Sequence, residues 1–127
     1  MKVILDTHVV LWWMDDDIRV TPRTRNLIAD DSNEVLFSLA SLWEIAIKHR
    51  IGKLSVGVEA VRDQLDTDRI AVLPISEAHV RGVQTFRDTP HNDPFDHLIL
   101  AQAMTERARI VTADAIMGRY GVPCIPV

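Results

Sequence analysis

The chain has a single cysteine, Cys124, in 127 residues, so it forms no internal disulfide. It also lacks a long apolar run. The longest is Val9 to Met14, where a bilayer-spanning helix needs about 20 such residues. Between Lys2 and Asp6 stand only Val3, Ile4 and Leu5, too few for the apolar core of a secretory signal. These absences point to a cytoplasmic protein with no membrane contact. A basic excess is missing as well: 18 acids face 14 lysines and arginines, for a net charge of −4. That is no footprint for sequence-independent nucleic-acid binding. It still allows a nucleic-acid enzyme, because acids gathered to hold a divalent cation lower the net charge while creating a site that attracts phosphate once loaded. There is no internal repeat, low-complexity segment or linker. What remains is an ordinary globular composition, 47 % hydrophobic and 25 % charged, over residues 1–127, a length that fits one domain with a real core.

The apolar segments alternate in type. Lys2–Leu5, Glu34–Ser38, Ile70–Leu73, Arg109–Thr112 and Pro123–Val127 read as short buried strands. Between them lie helical stretches: His8–Met14; Pro22–Ala29, opened by Thr21 as cap and a first-position proline; Ser41 to about Arg50; Val58–Leu65; Ser76 to about Phe86; Pro94 to Met104; and the short Ala115–Tyr120. Strands alternating with helices imply parallel pairing through crossover helices, hence a three-layer α/β domain with a mostly parallel sheet.

The most informative stretch is His91-Asn92-Asp93-Pro94-Phe95-Asp96-His97-Leu98. Asp93 fits a helix cap and Pro94 the first helical position. Asp96 falls in the first turn of a helix apolar enough to be largely buried, where an ionised carboxylate is costly unless a cation or donors meet it. In open α/β sheets ligands bind beyond the carboxyl ends of the strands. Asp6 ends the first strand and Asp114 follows the fourth. Glu44 stands in the first turn of the helix entered from the second. Asp96 joins them if its helix starts at that edge and runs back to the amino end. Each acid alone reads better as a cap than as a ligand, with Ser41-x-x-Glu44 a capping box. Together, with no lysine or arginine set against them in the same motifs, the four would repel unless a divalent cation sat among them. An all-oxygen set favours Mg²⁺ or Mn²⁺ and suits hydrolysis of phosphodiesters. Asp15-Asp16-Asp17 reads as a solvated turn, and Cys124 as core. His8, His91 and His97 read as surface or hydrogen-bonded side chains.

Ile4-Leu5-Asp6-Thr7-His8, Ser41-Leu42-Trp43-Glu44-Ile45-Ala46-Ile47-Lys48, Gly52-Lys53-Leu54, Asp93-Pro94-Phe95-Asp96 and Thr112-Ala113-Asp114 together resemble PIN-domain ribonucleases. Within that family they look like VapC-type toxins of type II toxin–antitoxin systems. The resemblance runs from Met1 to Val127. It implies a parallel sheet in the order 3-2-1-4-5. It also implies an acidic quartet of Asp6, Glu44, Asp96 and Asp114, with Asp93 as a cap, a supporting group or a further ligand. Cleavage of RNA with Mg²⁺ or Mn²⁺, frequent homodimers and silencing by a cognate antitoxin follow from it too. His97 departs from the arginine that relatives often carry there, which puts phosphate contact at this position in question. Two other functions compete. A haloacid-dehalogenase-like phosphatase also places an Asp after the first strand but wants a second two positions on, where this chain has His8. A non-catalytic interaction module would have no need to tolerate four repelling acids.

Trp12 and Trp13 are neighbours on a helix and point about 100° apart, so burying both needs cover on two sides. Either an adjacent helix supplies it, or an antitoxin peptide lies across this segment with an apolar anchor near one tryptophan and a basic side chain aimed at the acids.

Overall fold

The alternation of side chains along the first strand sets the architecture. A computed structural model describes residues 1–127, and in it Val3 and Leu5 enter one apolar cluster while Ile4, between them, enters another. A strand buried on both faces is what a parallel sheet with helices on each side requires. The elements are β1 (Lys2–Leu5), α1 (Thr7–Met14), α2 (Pro22–Ala29), β2 (Glu34–Ser38), α3 (Leu39–Arg50), α4 (Val58–Thr67), β3 (Ala71–Leu73), α5 (Glu77–Val83), α6 (Pro94–Glu106), β4 (Arg109–Thr112), a 3₁₀ helix (Ala115–Tyr120) and β5 (Cys124–Pro126). The sheet has five strands in the order β3-β2-β1-β4-β5, and all four pairings are parallel. One face carries Val9 and Val10 of α1, Ile28 of α2, Leu42 and Ile45 of α3, and Val61 and Leu65 of α4. The other carries Ile99, Leu100 and Ala103 of α6 and Met117 of the 3₁₀ helix. No helix is long and apolar enough to cross a membrane.

Two features of this frame position the site. First, the chain moves outward from β1 through β2 to β3, then returns to the other side of β1 for β4 and β5. The strand order therefore reverses between β1 and β4, the place where open α/β sheets form crevices at their carboxyl edge. Second, α6 runs down the sheet from that edge. Its last residue, Glu106, meets Lys2 at the amino end of β1 at 3.2 Å, so its first turn, with Asp96, lies at the carboxyl end.

Several boundaries differ from the sequence reading. α3 begins at Leu39, with Ser38 as its cap accepting from the Ala40 amide at 3.0 Å. β2 runs into the helix without a loop, so the helix starts earlier than a Ser41 cap would allow. Ser41 instead accepts a hydrogen bond from the Thr7 hydroxyl at 2.8 Å, and Glu44 falls in the second turn rather than the first. The capping box is at Ser76, whose hydroxyl takes the His79 amide while His79 Nδ1 takes the Ser76 amide. α5 stops at Val83, and the stretch to Phe86 is a series of hydrogen-bonded turns. α1 starts one residue earlier than read, β3 at Ala71 and β5 at Cys124. Cys124 is half-buried rather than core.

Candidate metal centre

Asp6 follows β1 and caps α1, accepting the Thr7 amide on Oδ1 at 2.8 Å. Its Oδ2 accepts the Thr112 hydroxyl from the end of β4 at 2.6 Å. Thr112 Oγ1 in turn accepts the Asp114 amide at 3.0 Å, so one threonine links the acid after β1 to the acid after β4. Asp114 caps the 3₁₀ helix through the Ile116 amide at 2.9 Å. Asp93 caps α6, taking the amides of Phe95 and Asp96 at 2.9 and 3.2 Å. The capping reading is thus correct for Asp6, Asp93 and Asp114, and it leaves Glu44 and Asp96 without that explanation.

Glu44 is buried on α3 and pairs with Lys48 one turn on at 3.1 Å. The expectation of acids with no matched cation fails here: Lys48 lies in the same motif, and the i, i+4 spacing brings it over Glu44. Asp96 is matched by His91, whose Nε2 lies 2.9 Å from Oδ2.

Burial raises the Asp6 carboxyl above its ordinary value, against the Thr112 hydroxyl and the Thr7 amide, which lower it. The charge of Glu44 adds to the rise. Burial likewise pushes Asp96 up to about 6, opposed by its bond to His91 and reinforced by the charges of Asp6 and Asp93. Glu44 therefore acts on Asp6 and Asp6 on Asp96 through charge. Donor atoms of Asp96, Asp114 and His91 lie within 4.8 Å of one another. The four acids read from the sequence form one run along the carboxyl edge, and the structure adds His91, which the sequence reading set aside. The signal available for it was only its place five residues before Asp96.

A groove of about 430 Å³ opens beside the acids, lined by Asp6, His8, Trp12, Ala113 and Asp114. Arg19 covers Trp12, its guanidinium carbon 4.2 Å from the ring centre. Trp13 packs against the core cluster instead and donates from Nε1 to Asp68 at 2.7 Å. His97 is engaged internally, with Nε2 2.9 Å from the His91 carbonyl and 3.0 Å from the Tyr120 hydroxyl. The triple acid is a solvated turn, as read: Asp17 pairs with Arg19 and Asp16 with Arg25.

The sequence matches the PIN domain family over residues 3–123. The chain is a PIN domain. No curated protein matches it by sequence. Among solved structures, this PIN domain is similar to a chain of VapBC2 from Rickettsia felis bound to a promoter DNA fragment, at 18 % identity and a TM-score of 0.76, covering 99 % of this chain and 98 % of that one. VapBC-1 from nontypeable Haemophilus influenzae matches at 18 % identity and TM-score 0.72 with the same coverages. FitAcB from Neisseria gonorrhoeae matches at 18 % and 0.69, covering 97 % and 96 %. At such identities the likeness concerns the fold, and this PIN domain shares it along its whole length. Family membership also replaces the dehalogenase-like alternative.

Proposed function

We propose that the protein is a divalent-metal-dependent endoribonuclease that acts in the cytoplasm as the toxin of a type II toxin–antitoxin pair. The observation that carries this reading is the gathering of Asp6, Asp96 and Asp114 from three separate elements at the strand-order reversal, with Asp96 pushed up to about 6. PIN domains are generally nucleases that use a divalent cation. The donors fit one here: carboxylate oxygens suit Mg²⁺ or Mn²⁺, and two partly desolvated acids acting on each other are relieved by positive charge.

Asp6 and Asp96 are the main ligands in this account, and Glu44 and Asp114 complete the set directly or through water. Asp93 supports it as the cap of α6. When bound, the ion polarises a phosphate oxygen and lowers the pKa of the attacking water. The residues supply orientation. Thr7 and Thr112 fix both oxygens of Asp6. Lys48 steadies Glu44, which is placed to orient a water. The groove beside Asp6 and Asp114 gives an extended RNA strand access to the edge.

The antitoxin is a protein partner of this reading, supported by the VapBC complexes that share the fold. Trp12, at the mouth of the groove, is its apolar anchor in place of Trp13, which packs against the core cluster. Homodimerisation belongs to the same reading, supported by the open apolar groove of Leu39, Leu42, Trp43, Ala46, Val58 and Ile75.

The test is cleavage of a mixed RNA substrate by purified protein freed of any partner. Activity should vanish in EDTA and return with Mn²⁺ or Mg²⁺. Full cleavage in EDTA would overturn the metal mechanism, and no cleavage of any RNA with metal present would overturn the nuclease reading.

A further inference from the structure

Asp96 is the one acid of the set held by a histidine, and that histidine is itself held. His91 Nε2 lies 2.9 Å from Asp96 Oδ2, and Nδ1 lies 2.6 Å from the hydroxyl of Tyr120. With Asp96 ionised and His91 neutral, one assignment of protons follows, in which the single Tyr120 O–H goes to His91 Nδ1 at 2.6 Å rather than to the His91 carbonyl at 3.1 Å. Ionised Asp96 only accepts, so Nε2 carries the hydrogen and donates to it. Nδ1 is then the acceptor and takes the Tyr120 O–H. His97 Nε2–H donates to the shared site formed by the Tyr120 oxygen and the His91 carbonyl. The rings of His91, His97 and Tyr120 meet edge to face with centroids 5.3 to 5.6 Å apart. Phe86 also meets Tyr120 edge to face, at 5.4 Å between centroids.

Tyr120 is the last residue of the 3₁₀ helix that Asp114 caps at its other end. Gly121 follows with φ +79°, a left-handed turn that ends the helix there and that glycine adopts without strain. The same short helix thus begins at one acid of the site and, through Tyr120 and His91, fixes the carboxylate of another.

We propose that His91 and Tyr120 are positioning residues for the metal centre, a hydrogen-bonded pair that orients Asp96 and sets its distance from Asp114. The proposal rests on the reading of the acids as a cation site. It makes His91 a supporting group and not a ligand, because both ring nitrogens are already engaged. The hydrogen bond to Asp96 uses Oδ2 alone, and no hydrogen bond of the protein uses Oδ1. Supporting hydrogen bonds of this kind, when removed, typically cost about 10- to 100-fold in metal affinity.

The experiment measures Mn²⁺ binding by calorimetry, and Mg²⁺ binding by competition, on the whole chain without RNA. Thermal unfolding of each variant is recorded in parallel. His91→Phe keeps the ring and removes both nitrogens, so its affinity should fall by about 10- to 100-fold. His91→Gln retains an N–H near the position of Nε2 and should recover most of the loss. Tyr120→Phe keeps the ring contact on Phe86 and removes the hydroxyl; it should lose affinity in the same direction and by less. Should His91→Phe fail to fold, His91→Gln and Tyr120→Phe decide the matter between them. The loss should be the same for both ions. A loss confined to Mn²⁺ would make His91 a direct nitrogen ligand and overturn the proposal. Unchanged affinity in folded His91→Phe and Tyr120→Phe would overturn it while leaving the metal centre intact. A native chain that binds neither ion would overturn both.

Discussion

Asp96 sits where ionisation opposes folding. Its carboxyl is pushed up to about 6 in the folded chain against an ordinary 3.8, chiefly by burial. The folded state therefore binds this proton more tightly than the unfolded state. A separation of roughly two pH units corresponds to about 3 kcal/mol. That contribution is fully present below about pH 4 and is lost as the pH rises through about 6. Asp96→Asn keeps the shape and an acceptor for His91 but removes the charge. In metal-free protein it should raise stability at pH 7 by about 1–3 kcal/mol, a few degrees in melting temperature. At pH 4 the gain should be absent, because the native carboxyl is then protonated. Thermal unfolding in EDTA at the two pH values checks this, and a loss of stability at pH 7 would contradict it. The capping acids Asp6, Asp93 and Asp114 were legible in the sequence because a cap and its amides lie within a few residues of each other. Lys48 was equally local to Glu44, but two readings of Glu44, as cap and as ligand, both pointed away from it. Tyr120 was not legible: it lies 29 residues beyond His91, and no local pattern joins them.

At the scale of elements, α1 and α3 carry the tests. α1 places Trp12 on the groove and packs the half-buried Trp13 against the core cluster. Trp13→Ala should cost about 2–4 kcal/mol as a cavity-forming change. Trp12→Ala should cost under about 1 kcal/mol, as a change away from the core, yet weaken a complex with the antitoxin in a pull-down of co-expressed proteins. Equal destabilisation by the two would place both in the core and contradict the assignment of Trp12 to the groove. The sequence showed that the two side chains must diverge; it could not show which pointed to the edge, because that depends on where α2 and α4 pack. For α3, Ser38→Ala removes the cap and also an acceptor-donor pair with buried Gln102, for a loss of about 1–3 kcal/mol. Ser41→Ala removes only the acceptor of the Thr7 hydroxyl, about 1 kcal/mol. Urea unfolding should rank Ser38 above Ser41. The reverse order would restore the capping box the motif suggested. That motif misled because α3 already starts at Leu39 under the Ser38 cap, which leaves Ser41 inside the helix and its hydroxyl to Thr7. A strand running straight into a helix leaves no loop to mark the start.

For the whole molecule, the short apolar strands and the crossover helices between them were enough to place the sheet in the α/β class. Asp6, Glu44 and Asp114 followed from the rule that sites lie at the carboxyl edge. Asp96 required that α6 begin there, and the contact of Glu106 with Lys2 at the opposite end supplies that. In the proposed function the acid that follows β1 and the acid in α6, 90 positions apart in the sequence, serve one centre. The most direct measurement is RNA cleavage by Asp6→Asn, Asp96→Asn and the double variant, each verified as folded. Each single change should lower the rate on the order of 10²-fold or more if it empties a shared cation site. The double variant should then be hardly slower than either single one, because a centre lost once cannot be lost again. Losses that multiply would contradict a single site.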